Sequence, residues 1–206
     1  LSIKNNLSII SNADILLVTD PLLLTSVKSV FIDAKIEKKI VYWDHGSLFG
    51  YLRKKIQKLI YIKEIYKGIN IVDAHLAIAS EIAEFIRKKN QKSNIKLVYN
   101  PITPYSKKLI QRSIYPIFLY IGRISDTDKN ISFMLKGLSR IKNKVWKLKI
   151  IGTGKDEKKL KKYAKKLGIS EKVEWLGFKK DPYDGIDYAT ALLLTSRWEG
   201  FPIVIV

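Results

Sequence analysis

The chain alternates strand-length apolar runs with longer segments in which apolar residues recur at helical spacing. Short runs rich in Ile, Leu and Val are typical of buried strands, and apolar residues three or four positions apart indicate a helix face. Strands are predicted at residues 13–19, 39–43, 74–79, 94–99, 117–121, 148–151, 173–176 and 191–195. Helices are predicted from residue 21 to before residue 31, over 49–66, from residue 80 onward, and at about 130–142, 155–167 and 182–189. This alternation predicts an α/β protein with parallel sheets of Rossmann type.

The predicted helix 49–66 is amphipathic. Leu52, Ile56, Leu59 and Ile60 share one face, and lysine and arginine residues surround the rest. This distribution of apolar and charged residues is typical of an amphipathic helix.

Residues 101–116 interrupt the alternation with Pro, Ser, Lys and Gln and with little periodicity. Such composition is typical of a linker, which we place at residues 106–116. The sequence therefore predicts two Rossmann-like domains, residues 1–105 and 117–206. It begins without Met and stops soon after Pro202, where a new helix is expected to begin. We interpret the chain as a fragment in which both domains are incomplete.

The charge balance is strongly basic, because 38 Lys and Arg against 19 Asp and Glu give a formal net charge of +19. A positive field attracts nucleic acid, anionic membrane surfaces or phosphorylated substrates, but charge alone does not choose among them. A general enrichment in lysine on solvated faces explains the same charge. The absence of cysteine excludes disulfides and thiolate metal sites. No apolar run approaches the ~20 residues that span a bilayer.

The stretch from Gly122 to Asn130 follows a predicted strand and precedes a helix for which Asn130 is a suitable N-cap. Ligands of open α/β sheets bind beyond the carboxyl ends of the strands, where Arg123 and Lys129 would lie. An arginine fork and a lysine charge could together hold a diphosphate leaving group. Two solvated surface cations are the alternative.

Two further patterns in this half of the chain match ligand motifs incompletely. Asp126 and Asp128 have the spacing of an Asp-x-Asp metal site, but Lys129 adjoins them and we expect no bound metal. Gly152 and Gly154 match the start of a dinucleotide fingerprint that lacks its third glycine, so we interpret them as a tight strand-to-helix turn.

The last fifteen residues combine a short apolar strand, a polar loop and a helix start at Pro202. Glu199 offers a carboxylate in this loop, and Gly200 lets backbone N–H groups approach a ligand. A strand, a glycine-containing loop and a helix N-terminus suit polyhydroxyl and phosphate groups.

Two residues at other strand ends could also contact a ligand. His45 follows a strand and could accept a proton from a substrate hydroxyl, although a structural loop histidine is equally compatible with the sequence. Phe178 could lie beside a base or could pack in the core. His75, inside a strand, is interpreted as structural.

Taken together, these segments resemble the GT4 family of retaining glycosyltransferases, which have the GT-B fold. The resemblance covers about residues 116–206 and rests on Gly122-Arg123 with Lys129-Asn130, Ile151-Gly-Thr-Gly154, Trp175-Leu-Gly-Phe178 and residues 195–202. Residues 73–80 and 98–102 are similar to the end of the family's first domain and its crossover. Asp181-Pro182-Tyr183 is similar to the Asn-Pro-Tyr of bacterial lipopolysaccharide-core galactosyltransferases, with Asp replacing Asn.

The resemblance implies transfer of a sugar from a nucleotide donor with retention at the anomeric carbon. The implied catalytic residues are His45, near the reacting sugar, and Glu199, on the hydroxyls of the donor sugar. Arg123 and Lys129 would hold the diphosphate, and Phe178 would lie by the base. The implied donor-binding residues are Gly122, Arg123, Lys129, Phe178, Glu199, Gly200, Phe201 and Pro202.

Two parts of the family pattern fall outside this sequence. The second glutamate of the family would stand one position past Val206, and the glycine-rich loop that opens the first domain would precede Leu1. We therefore expect the chain to be inactive as it stands and its parent to be active.

The expected function is transfer from a nucleotide sugar, with UDP-sugar favoured, to a cell-envelope glycan or lipid-linked saccharide, without cofactor or metal. We expect a cytoplasmic enzyme whose basic helix 49–66 could rest on the anionic inner face of the membrane, and no nucleic-acid partner. Two alternatives remain open. One is a non-catalytic, basic nucleic-acid-binding protein, and the other is a nucleotide-sugar epimerase of similar fold.

Overall fold

The structure is a computed structural model that describes residues 7–46, 48, 50–51, 55–102, 110–141 and 144–205. It divides into two compact units. The first unit is Leu1–Pro101 with Glu199–Ile203, and the second is Ile102–Trp198 with Val204–Val206.

The first unit contains a parallel sheet with strands in sequence order, β1-β2-β3-β4. Its strands are β1 (Ile15–Val18), β2 (Lys39–Asp44), β3 (Ala74–Ala77) and β4 (Ile95–Leu97). Its helices are α1 (Leu7–Ser11), α2 (Leu24–Asp33, after a 3-10 turn at Pro21–Leu23), α3 (Lys55–Ile71) and α4 (Ser80–Lys89). Helices connect successive parallel strands, as the alternating sequence pattern predicts.

The core of the first unit follows from alternation along β2. Ile40, Tyr42 and Asp44 of this strand are all fully buried. Leu24 of α2 is buried in the cluster that holds Ile40 and Tyr42. Ile69 of α3 lies in a second cluster with residues of α4. Trp43, whose side chain points to the opposite face of β2 from Tyr42, packs against this second cluster. The two faces of β2 thus contact different clusters.

The second unit contains a parallel sheet in the order β7-β6-β5-β8. Its strands are β5 (Ile117–Ile121), β6 (Lys147–Ile151), β7 (Val173–Gly177) and β8 (Ala191–Leu192). Its helices are α5 (Asp126–Lys129), α6 (Ile131–Leu138) and α7 (Glu157–Lys166), with 3-10 turns at Ser170–Lys172 and Ile203–Ile205. Strand β5 is central, so the loop that follows it lies between the loops of two neighbouring strands.

All eight predicted strands are confirmed, with shorter limits at several ends. The helix predicted at 182–189 is wrong. Asp181 Oδ1 accepts the backbone N–H of Tyr183, and Gly185 has a left-handed φ of 72°. Asp and Gly at these positions favour successive turns over a continuing helix.

The helix predicted at 49–66 is present over Lys55–Ile71, but Leu59 does not lie on its buried face. Leu59 is 81% exposed, whereas Ile65 and Ile69 are fully buried. Leu59 and Ile65 are six positions apart, so Ile65 lies about 240° around the helix axis from Leu59. The side chains of Leu52, Ile56 and Ile60 lie outside the described residues.

His75 on β3 is structural, as its position in a strand predicts. Its side chain is 1% exposed, and Nε2 lies 3.0 Å from the carbonyl oxygen of Ile69. Burial lowers the pKa of His75 below its ordinary value of 6.5, and the bond to Ile69 partly opposes this shift. The neutral ring therefore carries its proton on Nε2 and donates it to Ile69.

The first prediction is that His75 makes the first unit less stable at acidic pH. Below the unfolded pKa of 6.5, the unfolded chain binds a proton that folded His75 does not bind, so the free energy of unfolding falls as pH decreases. The loss is about 1.4 kcal/mol for each unit by which the folded pKa is lowered. Thermal unfolding between pH 7.5 and pH 5.5 should show a smaller change in Tm for His75→Gln than for the native chain.

His45 provides the matched control, because it is the only other histidine and is exposed. His45→Gln should change the pH dependence of Tm less than His75→Gln does. An unchanged pH dependence in His75→Gln would contradict the assignment to His75.

Candidate functional site

Two loops leave the carboxyl edge of the second sheet side by side, one after β5 and one after β6. The N–H of Gly122 donates to Ile151 O at 2.9 Å, and the N–H of Ile124 donates to Thr153 O at 2.9 Å. Asp156 N–H then donates to Ile124 O at 3.3 Å. Backbone pairing therefore continues past the strands and fixes the loop that carries Arg123.

This pairing requires glycine on the β6 side. A Cβ atom at Gly152 would lie 2.0 Å from Gly122 O, and one at Gly154 would lie 2.2 Å from Ile124 O. Gly152 also has a φ of 132°, which side chains rarely adopt. The two glycines thus have a packing role here, which agrees with their interpretation as a tight turn.

Arg123 is held through its backbone and its side chain. The buried Tyr120 hydroxyl donates to Arg123 O at 2.8 Å, and Arg123 Nη2 donates to Asp128 Oδ2 at 3.2 Å. The Arg123 side chain is 69% exposed. Most of its guanidinium N–H groups consequently face solvent, where an anion could reach them.

Asp126 and Asp128 take different partners. Asp126 Oδ1 accepts the N–H of Ser132 at 2.7 Å, and Asp128 Oδ2 accepts Ser125 Oγ at 3.2 Å. Within the described part of the chain, no group of three or more His, Cys, Asp and Glu side chains could hold a metal ion. These carboxylates stabilise the loop, one as a cap on α6 and one as a partner of Arg123.

Asn130 lies at the N-terminus of α6, but the prediction that its side chain caps this helix is wrong. Its side chain makes no cap bond, and its φ of 52° is left-handed. The left-handed residue is instead held by Thr195, whose hydroxyl lies 3.1 Å from Lys129 O and 3.2 Å from Asn130 O. The loop of Lys129 is thereby connected to the segment after β8.

A cavity of about 530 Å³ opens at this edge. It is lined by Ile121, Gly122, Arg123, Ile151, Gly152, Thr153, Phe178, Lys179, Lys180 and Pro182. It brings together three of the predicted donor-binding residues, Gly122, Arg123 and Phe178. Lys129 belongs to the same unit but is not among the lining residues.

Phe178 is 77% exposed, so the alternative that it packs in the core does not apply. An exposed ring beside three cations offers a flat apolar surface and positive charge to one ligand. Sequence reasoning missed Thr153, Lys179 and Lys180 as lining residues. Lys179 and Lys180 follow Phe178 directly beyond β7. Their position at the carboxyl end of a strand could have indicated that they line the site.

The other predicted site residues belong to the first unit. Asp44 Oδ1 accepts the N–H of Gly46 at 2.9 Å and that of Leu48 at 3.3 Å, which holds the loop of His45. His45 is exposed, with its ring centroid 4.5 Å from that of Trp43. An exposed imidazole on a fixed loop can reach a ligand.

Gly200 and Phe201 also pack within the first unit. A Cβ atom at Gly200 would lie 3.0 Å from Gly46 Cα, and the Phe201 ring lies 5.5 Å from the Tyr99 ring. Glu199 and Pro202 of the same segment are half-buried. The roles of these residues and of His45 stay predictions.

A second cavity, of about 640 Å³, lies in the first unit. Lysines 28, 35, 38 and 39 line it, together with Glu37 and Asp73. It lies where α2 ends and β2 begins. The C-terminus of a helix carries partial negative charge, so this cavity is less suited to an anion than the cavity beside Arg123.

Solved structures identify the class of protein. The apo structure of the lipopolysaccharide outer core galactosyltransferase WaaB is similar at a TM-score of 0.71 and 29% identity, over 98% of this chain and 56% of that chain. The Anabaena protein HepE in complex with UDP-glucose has the same fold, with a TM-score of 0.74 at 16% identity over 98% of this chain and 58% of its own. The predicted fold, GT-B with parallel α/β sheets, is confirmed.

The family follows from the sequence. Glycosyl transferases group 1 matches residues 102–206, half of the chain, and the chain belongs to this family. The lipopolysaccharide 1,6-galactosyltransferase of Salmonella typhimurium is 37% identical over 147 residues, which are 66% of this chain and 40% of the relative. The Escherichia coli K12 enzyme of the same description is 30% identical over 200 residues, which are 90% of this chain and 52% of the relative.

The chain spans about half the length of these curated relatives. Among the described residues, no helix has the length and apolar character needed to cross a membrane.

The second prediction concerns the glycine contact between the two loops. Gly154→Ala should lower the free energy of unfolding by about 2 kcal/mol, because the new methyl group meets the carbonyl of Ile124 and forces the backbone apart. Urea unfolding measures this change.

Gly137 is the matched control, since it lies in α6 and a Cβ atom there would meet nothing within 4 Å. Gly137→Ala should raise the free energy of unfolding by up to ~1 kcal/mol through helix propensity. Equal effects of the two substitutions would contradict the packing role of Gly154.

Proposed function

We propose that the full-length parent of this chain transfers a hexose from a nucleotide sugar, with UDP-sugar favoured, to a cell-envelope saccharide acceptor. The observation that carries the proposal is the cavity at the carboxyl edge of the second sheet, where Arg123, Lys179 and Lys180 lie beside exposed Phe178. A nucleoside diphosphate has a flat base and two phosphates, which match an aromatic ring and a cluster of cations.

Cations at this position would also favour the chemical step. When the bond between the anomeric carbon and the diphosphate breaks, negative charge develops on the leaving phosphate oxygen. Arg123 can donate two parallel N–H bonds to phosphate oxygens, and lysine supplies a point charge. Positive groups already in place stabilise that charge without reorganisation. This arrangement neutralises the diphosphate by side chains, which supports a reaction without bound metal.

The remaining donor contacts are proposals of the same kind. Glu199 binds hydroxyls of the donor sugar as a hydrogen-bond acceptor, and His45 lies near the reacting sugar. Lys129 adds charge on the diphosphate, and the loop backbone of Gly200, with Phe201 and Pro202, lines the sugar and phosphate. Transfer with retention at the anomeric carbon is part of the proposal.

The acceptor is proposed to be a lipopolysaccharide-core or lipid-linked saccharide in the cytoplasm. Support comes from the two bacterial relatives reported above, which are 37% and 30% identical to this chain and are both described as lipopolysaccharide 1,6-galactosyltransferases.

Two alternative functions make different predictions. A nucleotide-sugar epimerase would give an isomerised sugar without transfer, which product analysis distinguishes. A nucleic-acid-binding role has only the net charge of +19 in its favour.

The third prediction tests the donor and the role of Glu199 in the full-length parent. Among UDP-, GDP- and ADP-hexoses, UDP-hexoses should raise Tm the most, since a ligand stabilises the state that binds it. Glu199→Gln should reduce sugar transfer by at least ~10-fold, because an amide accepts fewer hydroxyl bonds than a carboxylate.

Lys92→Gln serves as a control for a charge change at an exposed position of the first unit and should transfer sugar at the native rate. If no nucleotide sugar changes Tm or is consumed, the proposed function is wrong. If Glu199→Gln transfers at the native rate, only its proposed role is wrong.

We further propose that the parent rests on the inner face of the membrane through its basic first domain. Residues 1–105 contain 16 Lys and Arg against 9 Asp and Glu, a net charge of +7, and this charge and the exposed Leu59 on α3 support the proposal. Lysine and arginine near an anionic surface each contribute about 1 kcal/mol, and an exposed apolar side chain can enter the interface.

The fourth prediction is preferential sedimentation with anionic vesicles. Vesicles that contain phosphatidylglycerol should carry down more protein than purely zwitterionic vesicles, and Leu59→Ser should reduce the bound fraction because it removes apolar surface. High salt should weaken binding by screening. Equal sedimentation with both kinds of vesicle would exclude the membrane role.

A further inference from the structure

Asp128 holds the side chain of Arg123 at the edge of the candidate site. Asp128 Oδ2 lies 3.2 Å from Arg123 Nη2 and 3.2 Å from Ser125 Oγ. Ser125 is 3% exposed, so the second partner of this carboxylate is itself fixed in the structure. The carboxylate oxygen therefore has a defined position, and it bonds the end of a long flexible cation.

The backbone of Asp128 is fixed as well. Its carbonyl oxygen accepts the N–H of Arg197 at 2.8 Å, and the N–H of Lys129 donates to Ser125 O at 2.8 Å. The Asp128 side chain is 26% exposed, whereas that of Arg123 is 69% exposed. These hydrogen bonds fix Asp128, and the bond to Asp128 restricts the conformation of the Arg123 side chain.

An ion pair with this exposure adds little to folding stability. Its effect on a neighbouring ligand is different, because an unrestrained arginine loses rotamer freedom when it binds an anion. A guanidinium has five N–H donors in a rigid plane, so a bond from Nη2 to Asp128 orients the plane and leaves other donors available.

We propose that Asp128 is a positioning residue that orients the guanidinium of Arg123 to receive the diphosphate of the donor. This inference rests on the proposed function, since it requires that Arg123 contacts the diphosphate. Asp128 acts through Arg123 and touches neither the donor nor the reacting atoms.

Electrostatic repulsion alone predicts the opposite effect on binding, and this difference makes the inference testable. A carboxylate close to a diphosphate repels it, so if charge alone mattered, removal of Asp128 would tighten binding of the diphosphate. If orientation of Arg123 matters more, removal of Asp128 weakens binding, and it does so only while Arg123 is present.

The experiment is a double-mutant cycle with UDP as the probe, measured by isothermal titration calorimetry on the full-length parent. Asp128→Ala should weaken UDP binding about fivefold and Arg123→Ala at least ~10-fold, in line with charge-assisted hydrogen bonds at partly exposed sites. The double variant should bind no more weakly than Arg123→Ala alone, because the two residues act as one unit.

Two further variants separate positioning from folding and from net charge. Asp128→Asn keeps an oxygen that can accept the Arg123 bond, so it should recover part of the affinity lost in Asp128→Ala. Glu171→Ala removes one exposed negative charge from the 3-10 turn Ser170–Lys172 of the same unit and should bind UDP as the native protein does. Thermal unfolding of each variant checks that it is folded.

The outcomes distinguish failure of the inference from failure of the proposed function. Native-like or tighter binding by folded Asp128→Ala, or equal weakening by Asp128→Ala with and without Arg123, overturns the inference and leaves the proposed function standing. If Arg123→Ala binds UDP as the native protein does, the proposed diphosphate contact and the inference both fail. If the native parent binds no UDP, the proposed preference for a UDP-sugar is wrong and the inference falls with it.

Discussion

The candidate site depends on one backbone contact, between the loop after β5 and the loop after β6. Gly152 and Gly154 let the second loop approach the carbonyls of Gly122 and Ile124 at distances that exclude a side chain. The same contact continues the hydrogen bonds of the two strands beyond their ends. Because Arg123 lies inside this paired segment, its backbone is placed by the sheet and its side chain by Asp128.

The position of the charged side chains is the second feature that distinguishes the candidate site. The chain carries a net charge of +19, and most lysines whose side chains the structure describes lie on exposed surfaces. In the cavity of the second unit, cations lie beside an exposed aromatic ring and paired glycine loops. In the cavity of the first unit, lysines share the lining with two acids at the end of a helix. Local geometry, and not total charge, therefore selects the site for a nucleoside diphosphate.

The sheet architecture could be predicted from sequence because the strands are apolar runs whose length and spacing are local properties. The sequence-based predictions that were wrong or incomplete have local and long-range causes. The segment 182–189 forms turns because Asp181 and Gly185 favour them over a helix. Leu59 fits an apolar pattern, but the buried residues of α3 lie farther along the helix. The partnership of Asp128 with Arg123 depends on the fold of the loop, which the short acidic pattern does not contain.

The central claim is that the carboxyl-edge cavity of the second unit binds a nucleoside diphosphate. The most direct measurement is an NMR titration of the isotope-labelled protein with UDP, read at the backbone amides. The account predicts saturable shift changes concentrated at Arg123, Thr153 and Phe178–Lys180, the residues that line this cavity. Shift changes confined to the lysine-lined cavity around residues 28–39, or no saturable change at all, would contradict it.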